Sequence, residues 1–266
     1  MLDSAVITIS IGGLGLVFGS FVTALVGRLH ERQNFTTDRS RCMSCNHVLS
    51  PTELIPVFSW LMQVGRCRHC REAISWQYPV IELTMSFFFL ASLFAFNPSS
   101  NLGWILFALW LGQIVLLAAL VVADLRYYLL PNSLVYPLLG LGIGYYGLQF
   151  ILVNSAPDPL LQLSGVVFYA GIFYLLYYFS KGEWLGGGDV RLAFYLGLVG
   201  MPLALMSMFA ASLIGSVVVL SLIALKITKR ETPIPFGPFL IAAHIVTVFF
   251  GQEILSWYLS FIGIAS

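Results

Sequence analysis

The sequence predicts an all-α polytopic membrane protein with about eight transmembrane helices and one small folded loop. Three observations carry that reading. Hydrophobic residues make up 59% of the 266 positions and charged residues only 9%, against about 25% charged in an ordinary soluble domain. Uncharged windows such as 4–27, 83–123 and 192–225 reach or exceed the length of about 20 residues that a spanning helix needs. The basic residues, finally, fall only at alternate breaks between the windows.

The first span covers about residues 5–26. Met1-Leu2-Asp3 lacks the basic leading region of a removable signal peptide, so this helix is expected to remain. Gly12, Gly13, Gly15, Gly19 and Ser20 give it a small-residue face suited to close packing on a neighbour. Residues 28–77 then form the one long polar stretch, opened by Arg28, Arg32, Arg39 and Arg41. A structureless connection of that length is uncommon, so it should carry a fold of its own.

Two Cys-x-x-Cys knuckles supply that fold: Cys42-Met43-Ser44-Cys45 and Cys67-Arg68-His69-Cys70, with 21 residues between them. The spacing is close to that of zinc ribbons. Each turn aims two sulfurs at one point, and two turns complete a tetrahedral thiolate site. Two disulfides or free buried thiols are the competing readings. An arginine-rich loop is expected on the reducing cytoplasmic side, which disfavours disulfides. Zinc on Cys42, Cys45, Cys67 and Cys70 is therefore the expectation. His47 and His69 lie nearby, but four cysteines already fill the shell.

The second span runs from Tyr78-Pro79 to Phe96 and carries Glu82, which a first-turn position would explain through the helix dipole. Asn97-Pro98 marks a turn. A third span, about 102–123, ends at Asp124, and Pro131 starts a fourth, about 132–153. Residues 154–159 turn the chain into a fifth span that ends at Ser180. A short sixth helix follows Gly186-Gly187-Gly188-Asp189 and stops near Leu198, before Gly200-Met201-Pro202. The seventh runs to Leu225. Pro233, Pro235 and Pro238 forbid regular helix, and the eighth then reaches about Phe261. The domains expected are 1–27, the first span; 28–77, the zinc-binding loop; and 78–266, a seven-helix membrane domain.

With alternating crossings, all 13 basic residues fall on one side, which the positive-inside rule makes cytoplasmic. Both termini are then outside, and the cysteine loop, Asp124 and Asp189 are inside. The net charge of +1 says nothing useful about partners; membrane lipid is expected, and nucleic acid is not.

Asp124 and Asp189 each stand at the edge of a long apolar run, where an unpaired carboxylate is costly and usually has a job. Hydrolysis of an amide needs one group to take a proton from water and another to give one. Two close carboxylates share a single proton because both cannot ionise, so the pair holds base and acid together. Three glycines before Asp189 let backbone come close where a Cβ would clash. The alternative is ordinary structure: Asp124 paired with Arg126, Asp189 capping a helix. Three features favour a site: the shared side, the glycines, and a proline-broken segment returning to that side, since non-helical backbone at membrane depth normally lines a cavity.

These stretches together resemble the type IV prepilin peptidases, the bifunctional leader peptidase/N-methyltransferases of pilus and type II secretion systems. The matching residues are Gly19-Ser20-Phe21, the two Cys-x-x-Cys pairs, Ile55-Pro56 with Ser59-Trp60-Leu61, and Tyr78-Pro79 with Glu82-Leu83. They continue with Asp124, Leu130-Pro131-Asn132, Gly186-x-Gly188-Asp189-Val190-Arg191-Leu192 and Pro235-Phe236-Gly237-Pro238. Gly-x-Gly-Asp also occurs in presenilin-type proteases, which lack the cysteine loop.

The resemblance implies that Asp124 and Asp189 are the catalytic pair of an aspartic endopeptidase in the bacterial inner membrane. Its substrates would be prepilins or pseudopilins, cut on the cytoplasmic side after the leader's final glycine. It implies, further, N-methylation of the new N-terminal residue with S-adenosylmethionine as donor, associated with the loop 28–77 and with Glu82 at the methylation site. Two departures fall in that half: Thr23 stands where the family usually has asparagine, and His30 where proline is common. A peptidase that has lost methylation is therefore one alternative. A transporter using its acids as a proton relay is another, but it would show inverted repeats, and none is visible. A zinc-ribbon adaptor without chemistry would need no aspartate pair.

Overall fold

The computed structural model describes residues 2–31, 39–152, 158–229 and 234–263. The turn at 153–157, Arg32, Arg230 and Pro233 lie outside those residues. Among the described residues the chain forms nine α-helices and no strand beyond two isolated bridges. It divides into two compact units, 1–122 and 123–266.

The first unit is built on α1 (Leu2–Glu31), α3 (Gln77–Phe96) and most of α4 (Asn101–Tyr127). The small-residue face read from the sequence is where α1 meets α3. A Cβ on Gly15 would lie 2.6 Å from Ser86 Cα, and one on Gly19 2.5 Å from Glu82 Cα. Only glycine lets the two backbones come so close. Ser86 Oγ closes the contact by donating to the Gly12 carbonyl at 2.9 Å. On the other side of α3, Trp110 Nε1 of α4 donates to buried Ser92 Oγ at 2.9 Å, so neither polar group faces hydrocarbon alone. α1 runs five residues beyond the expected Val26, because Arg28 and His30 near its C-terminus suit the helix dipole.

Between α1 and α3 the loop folds around its cysteines, with a 3₁₀ turn at Pro51–Leu54 and the five-residue helix α2 (Phe58–Met62). Its two knuckles repeat one hairpin. Cys42 N–H donates to the His47 carbonyl and Cys67 N–H to that of Glu72, both at 2.9 Å. The residue after each second cysteine, Asn46 or Arg71, takes positive φ (56° and 61°) to close the turn.

The second unit opens with the last turn of α4. It continues through α5 (Asn132–Leu152), α6 (Pro159–Phe179), α7 (Gly187–Gly197), α8 (Leu203–Ala224) and α9 (Gly237–Phe261). Asp158 caps α6 by accepting from Leu160 N–H at 2.9 Å. α7 runs antiparallel along α6. At one end Gly187 lies against Tyr177; at the other, Gly197 meets the Val166 backbone and Met201 N–H reaches the Leu161 carbonyl.

The expected count of about eight spans is corrected in one place. Among the described residues, seven helices are long and apolar enough to cross a membrane, and the eleven-residue α7 is not among them. At 1.5 Å per residue it extends about 16 Å, roughly half a hydrocarbon core. Val190, Leu192, Ala193, Tyr195 and Leu196 are all buried, so most of α7 is covered by its neighbours, with Phe194 left exposed.

Candidate active site

Asp124 lies in the last turn of α4 and is buried, 7% exposed. Its Oδ2 accepts the backbone N–H of Gly237 at 3.1 Å. Gly237 is the first residue of α9, so that N–H has no partner within its own helix and points outward. The proline-rich segment read from the sequence thus ends by aiming a helix N-terminus at a carboxylate. A Cβ on Gly237 would sit 2.5 Å from that same oxygen. No other residue type fits there without moving the carboxylate.

Asp189 occupies the first turn of α7, with Gly186 as N-cap. Its carboxylate folds back over Gly186, where an added Cβ would stand 3.3 Å from Oδ2. Burial, and then the charge of Asp124, push the Asp189 carboxyl up to about 6 from 3.8. Hydrogen bonds from the Gly186 and Asp189 N–H groups oppose that rise. The charge of Asp124 therefore reaches the Asp189 carboxyl and disfavours its ionisation.

Leu130 fixes the geometry around them. A Cβ on Gly188 would lie 2.9 Å from Leu130 Cβ, and one on Gly237 3.5 Å from Leu130 Cδ2. The motif segments 130–132, 186–189 and 235–238 converge on this one side chain. Each carboxylate also faces a helix N-terminus, where backbone N–H groups favour negative charge. Sequence reasoning placed both acids and the proline segment on one side, but missed that Gly237 N–H is the partner of Asp124. The signal was a glycine directly before a proline at a helix start.

In the first unit the four cysteines come together. Their sulfurs all lie within 4.8 Å of one another, with Cys42 Sγ and Cys70 Sγ 3.8 Å apart, and none is in a disulfide. Tetrahedral Zn–S bonds of about 2.3 Å separate sulfurs by about 3.8 Å, so the cluster fits such an ion. The Cys45 and Ser44 N–H groups pull the Cys42 thiol down to about 6. Cys70 goes the other way: although the Glu72 N–H favours its thiolate, desolvation and the three other sulfurs push it up to about 12. A dication would relieve that crowding of charge.

Glu82 is not in the first turn of α3, so the helix-dipole explanation does not apply to it. It is buried, with the Ser20 side chain beside it. Its Oε2 accepts the Val57 N–H at 2.7 Å. Val57 has φ 61° and ψ −53°, and Phe58 N–H closes onto the Pro56 carbonyl. That is a γ-turn of the rare strained kind, unusual for a β-branched residue. Thr23 is also buried, and donates to the Ser20 carbonyl of its own helix at 2.8 Å.

The profile of the bacterial Peptidase A24 N-terminal domain matches residues 14–96, and that of the Type IV leader peptidase family matches residues 111–220. A prepilin leader peptidase/N-methyltransferase of Aeromonas salmonicida is 33% identical, over 86% of this chain and 77% of its own length. The chain belongs to the type IV leader peptidase family. Enzymes of the same name from Xanthomonas campestris pv. campestris and Pseudomonas aeruginosa are 32% and 30% identical. Those alignments cover 95% and 94% of this chain and 94% and 92% of the relatives. No solved structure matches the chain. Family membership leaves the transporter and adaptor readings without support.

Proposed function

We propose that this protein removes the leader peptide of type IV prepilins or pseudopilins and N-methylates the residue so exposed. The observation that carries the peptidase half is the buried Asp124 carboxylate, held by Gly237 N–H beside Asp189. Asp124 and Asp189 are the catalytic pair. One carboxylate takes a proton from water while the other, protonated, gives its proton to the scissile carbonyl oxygen; as the C–N bond breaks, the first passes the water's proton to the leaving amine and the second takes one back from the gem-diol hydroxyl. Gly188 and Gly237 let Leu130 and the Asp124 carboxylate pack against backbone where a Cβ would clash, which holds the acids in place.

Methylation belongs to the N-terminal part of the chain, with S-adenosylmethionine as donor. That cofactor supplies the methyl group. Glu82 acts at the donor or acceptor site through the strained Pro56–Phe58 turn that it holds, the kind of turn that persists where surrounding structure over-determines it. Zinc on Cys42, Cys45, Cys67 and Cys70 is structural: it ties the two knuckles of the loop 28–77 together and leaves no open position for chemistry.

The protein resides in the bacterial inner membrane and serves pilus assembly or type II secretion. Basic residues at Arg28, Arg126, Lys181, Arg191 and Lys226 favour the cytoplasmic side for the aspartates and the zinc loop. Both termini are outside on this reading, with the eighth crossing supplied by α7 and residues 198–201, which return the chain along α6 from Tyr177 to Leu161. Co-expression with a candidate prepilin, with the product's N-terminus read by mass spectrometry, tests both halves. Leader loss plus one added methyl mass is expected. An intact leader overturns the peptidase reading, and a processed but unmethylated N-terminus overturns the second.

A further inference from the structure

Helix α2 lies at a depth that two hydrogen bonds set. At its start, Val57 N–H is held by Glu82, five residues into the span α3, which is about 7.5 Å along the helix axis. Further on, Trp60 Nε1 donates at 3.1 Å to the carbonyl of Ile74, which precedes α3 by three residues. The start of α2 is thus held beside the second turn of the span α3, and Trp60 beside the residues that lead into it.

Its outward face is apolar and uncovered. Phe58, Leu61 and Met62 are 61%, 59% and 76% exposed, and at spacings of three and four residues they share one helix face. The opposite side chain, Trp60, packs on Gly65. The same loop exposes Arg39, Arg41, Arg66, Arg68 and Arg71, against only Glu53 and Glu72 among residues 39–76. Exposed apolar side chains beside the start of a span, in a loop with an excess of exposed cations, match the chemistry of an anionic lipid surface.

We propose that α2 is an interfacial lipid-binding element. Phe58, Leu61 and Met62 enter the acyl boundary, and the arginines of the cysteine knuckles bind anionic headgroups. Depth favours lipid over a soluble partner, because the Glu82 tether holds the start of α2 inside the span. The charge excess selects anionic lipid over neutral.

Two methionines of equal exposure provide the test. Met43, in the first knuckle, is 77% exposed and Met62 76%. The full-length, zinc-loaded protein is placed in nanodiscs of phosphatidylcholine, with or without phosphatidylglycerol, and given a brief hydroxyl-radical pulse. Sulfoxide at each methionine is read by mass spectrometry. Met62 should oxidise several-fold more slowly than Met43 in both bilayers, and the gap should widen with phosphatidylglycerol. High salt should erase the widening, as should Arg39→Gln, Arg66→Gln and Arg71→Gln together. Equal oxidation of the two methionines in bilayers overturns the proposal. Protection of Met62 that arises only when prepilin peptide is added overturns it too, since the occupant is then a peptide. Protection indifferent to phosphatidylglycerol and salt overturns the headgroup half.

Discussion

The backbone N–H of Gly237 and the carboxylate of Asp124 meet at 3.1 Å although 113 residues separate them in the chain. The contact joins the end of one helix to the start of another, and it binds a buried acid to the proline-rich segment. It also explains the glycine, whose Cβ would stand 2.5 Å from the carboxylate oxygen.

Gly237→Ala should therefore disable the peptidase without unfolding the protein. The added methyl must displace Asp124, and a misplacement of about 1 Å at a reacting group costs about 10²-fold in rate. Gly144→Ala, where an added Cβ meets nothing within 4 Å, is the control and should leave leader removal unchanged. Rates on a purified prepilin, with membrane insertion checked for both variants, decide the matter. Equal rates would remove Gly237 from the site.

For the cysteine cluster, metal analysis should find close to one zinc per chain. Cys67→Ser with Cys70→Ser should lower it sharply and open the loop 39–76 to protease, because metal binding and folding are coupled in such small units. Undiminished zinc in that variant would refute the assignment.

Glu82→Gln should abolish methyl transfer while sparing leader removal. The substituted amide would keep an oxygen for the Val57 N–H but lose the charge, which weakens a bond that now holds a strained turn. Methyl incorporation and leader cleavage, measured on the same preparation, separate the two halves. If cleavage falls in step with methylation, Glu82 serves the whole fold and not the methylation site.

Much of this was legible because lipid punishes polar groups and charge so heavily that apolar windows mark the spans directly. The cysteine spacing did the same for the knuckles. Two things were not legible. The burial of α7 depends on neighbours from distant parts of the sequence, so its eleven residues read as a short span. The partners of Asp124 and Glu82 are backbone N–H groups, of Gly237 and Val57, and every residue but proline offers one. For Gly237 the one mark in the sequence was the proline that follows it at a helix start. Val57 is the sharper case, since nothing about a valine suggests positive φ.

The last prediction concerns the pair and its proton. Burial and the Asp124 charge raise the Asp189 carboxyl to about 6, so the fold favours its protonated form. That contribution to stability is fully present below 3.8, the ordinary value, and is lost as pH rises through about 6. At neutral pH the native protein thus carries a charge it would be more stable without. Asp189→Asn removes that charge but keeps an oxygen for the N–H groups that face it. It should melt higher than the parent at pH 7, with the difference vanishing below pH 3.8. The same variant should lose about 10²–10⁴-fold in leader removal, the range for a lost general acid or base. Asp124→Asn should lose a similar factor, and the double variant should be little worse than either, because groups acting as one unit are non-additive. In the parent, cleavage against pH should be bell-shaped, with the alkaline limb falling as the shared proton leaves. Melting curves over that pH range, together with cleavage rates for the three variants, are the measurements. An Asp189→Asn protein that is active, or that melts below its parent at pH 7, would show that Asp189 is ordinary structure and not half of a catalytic pair.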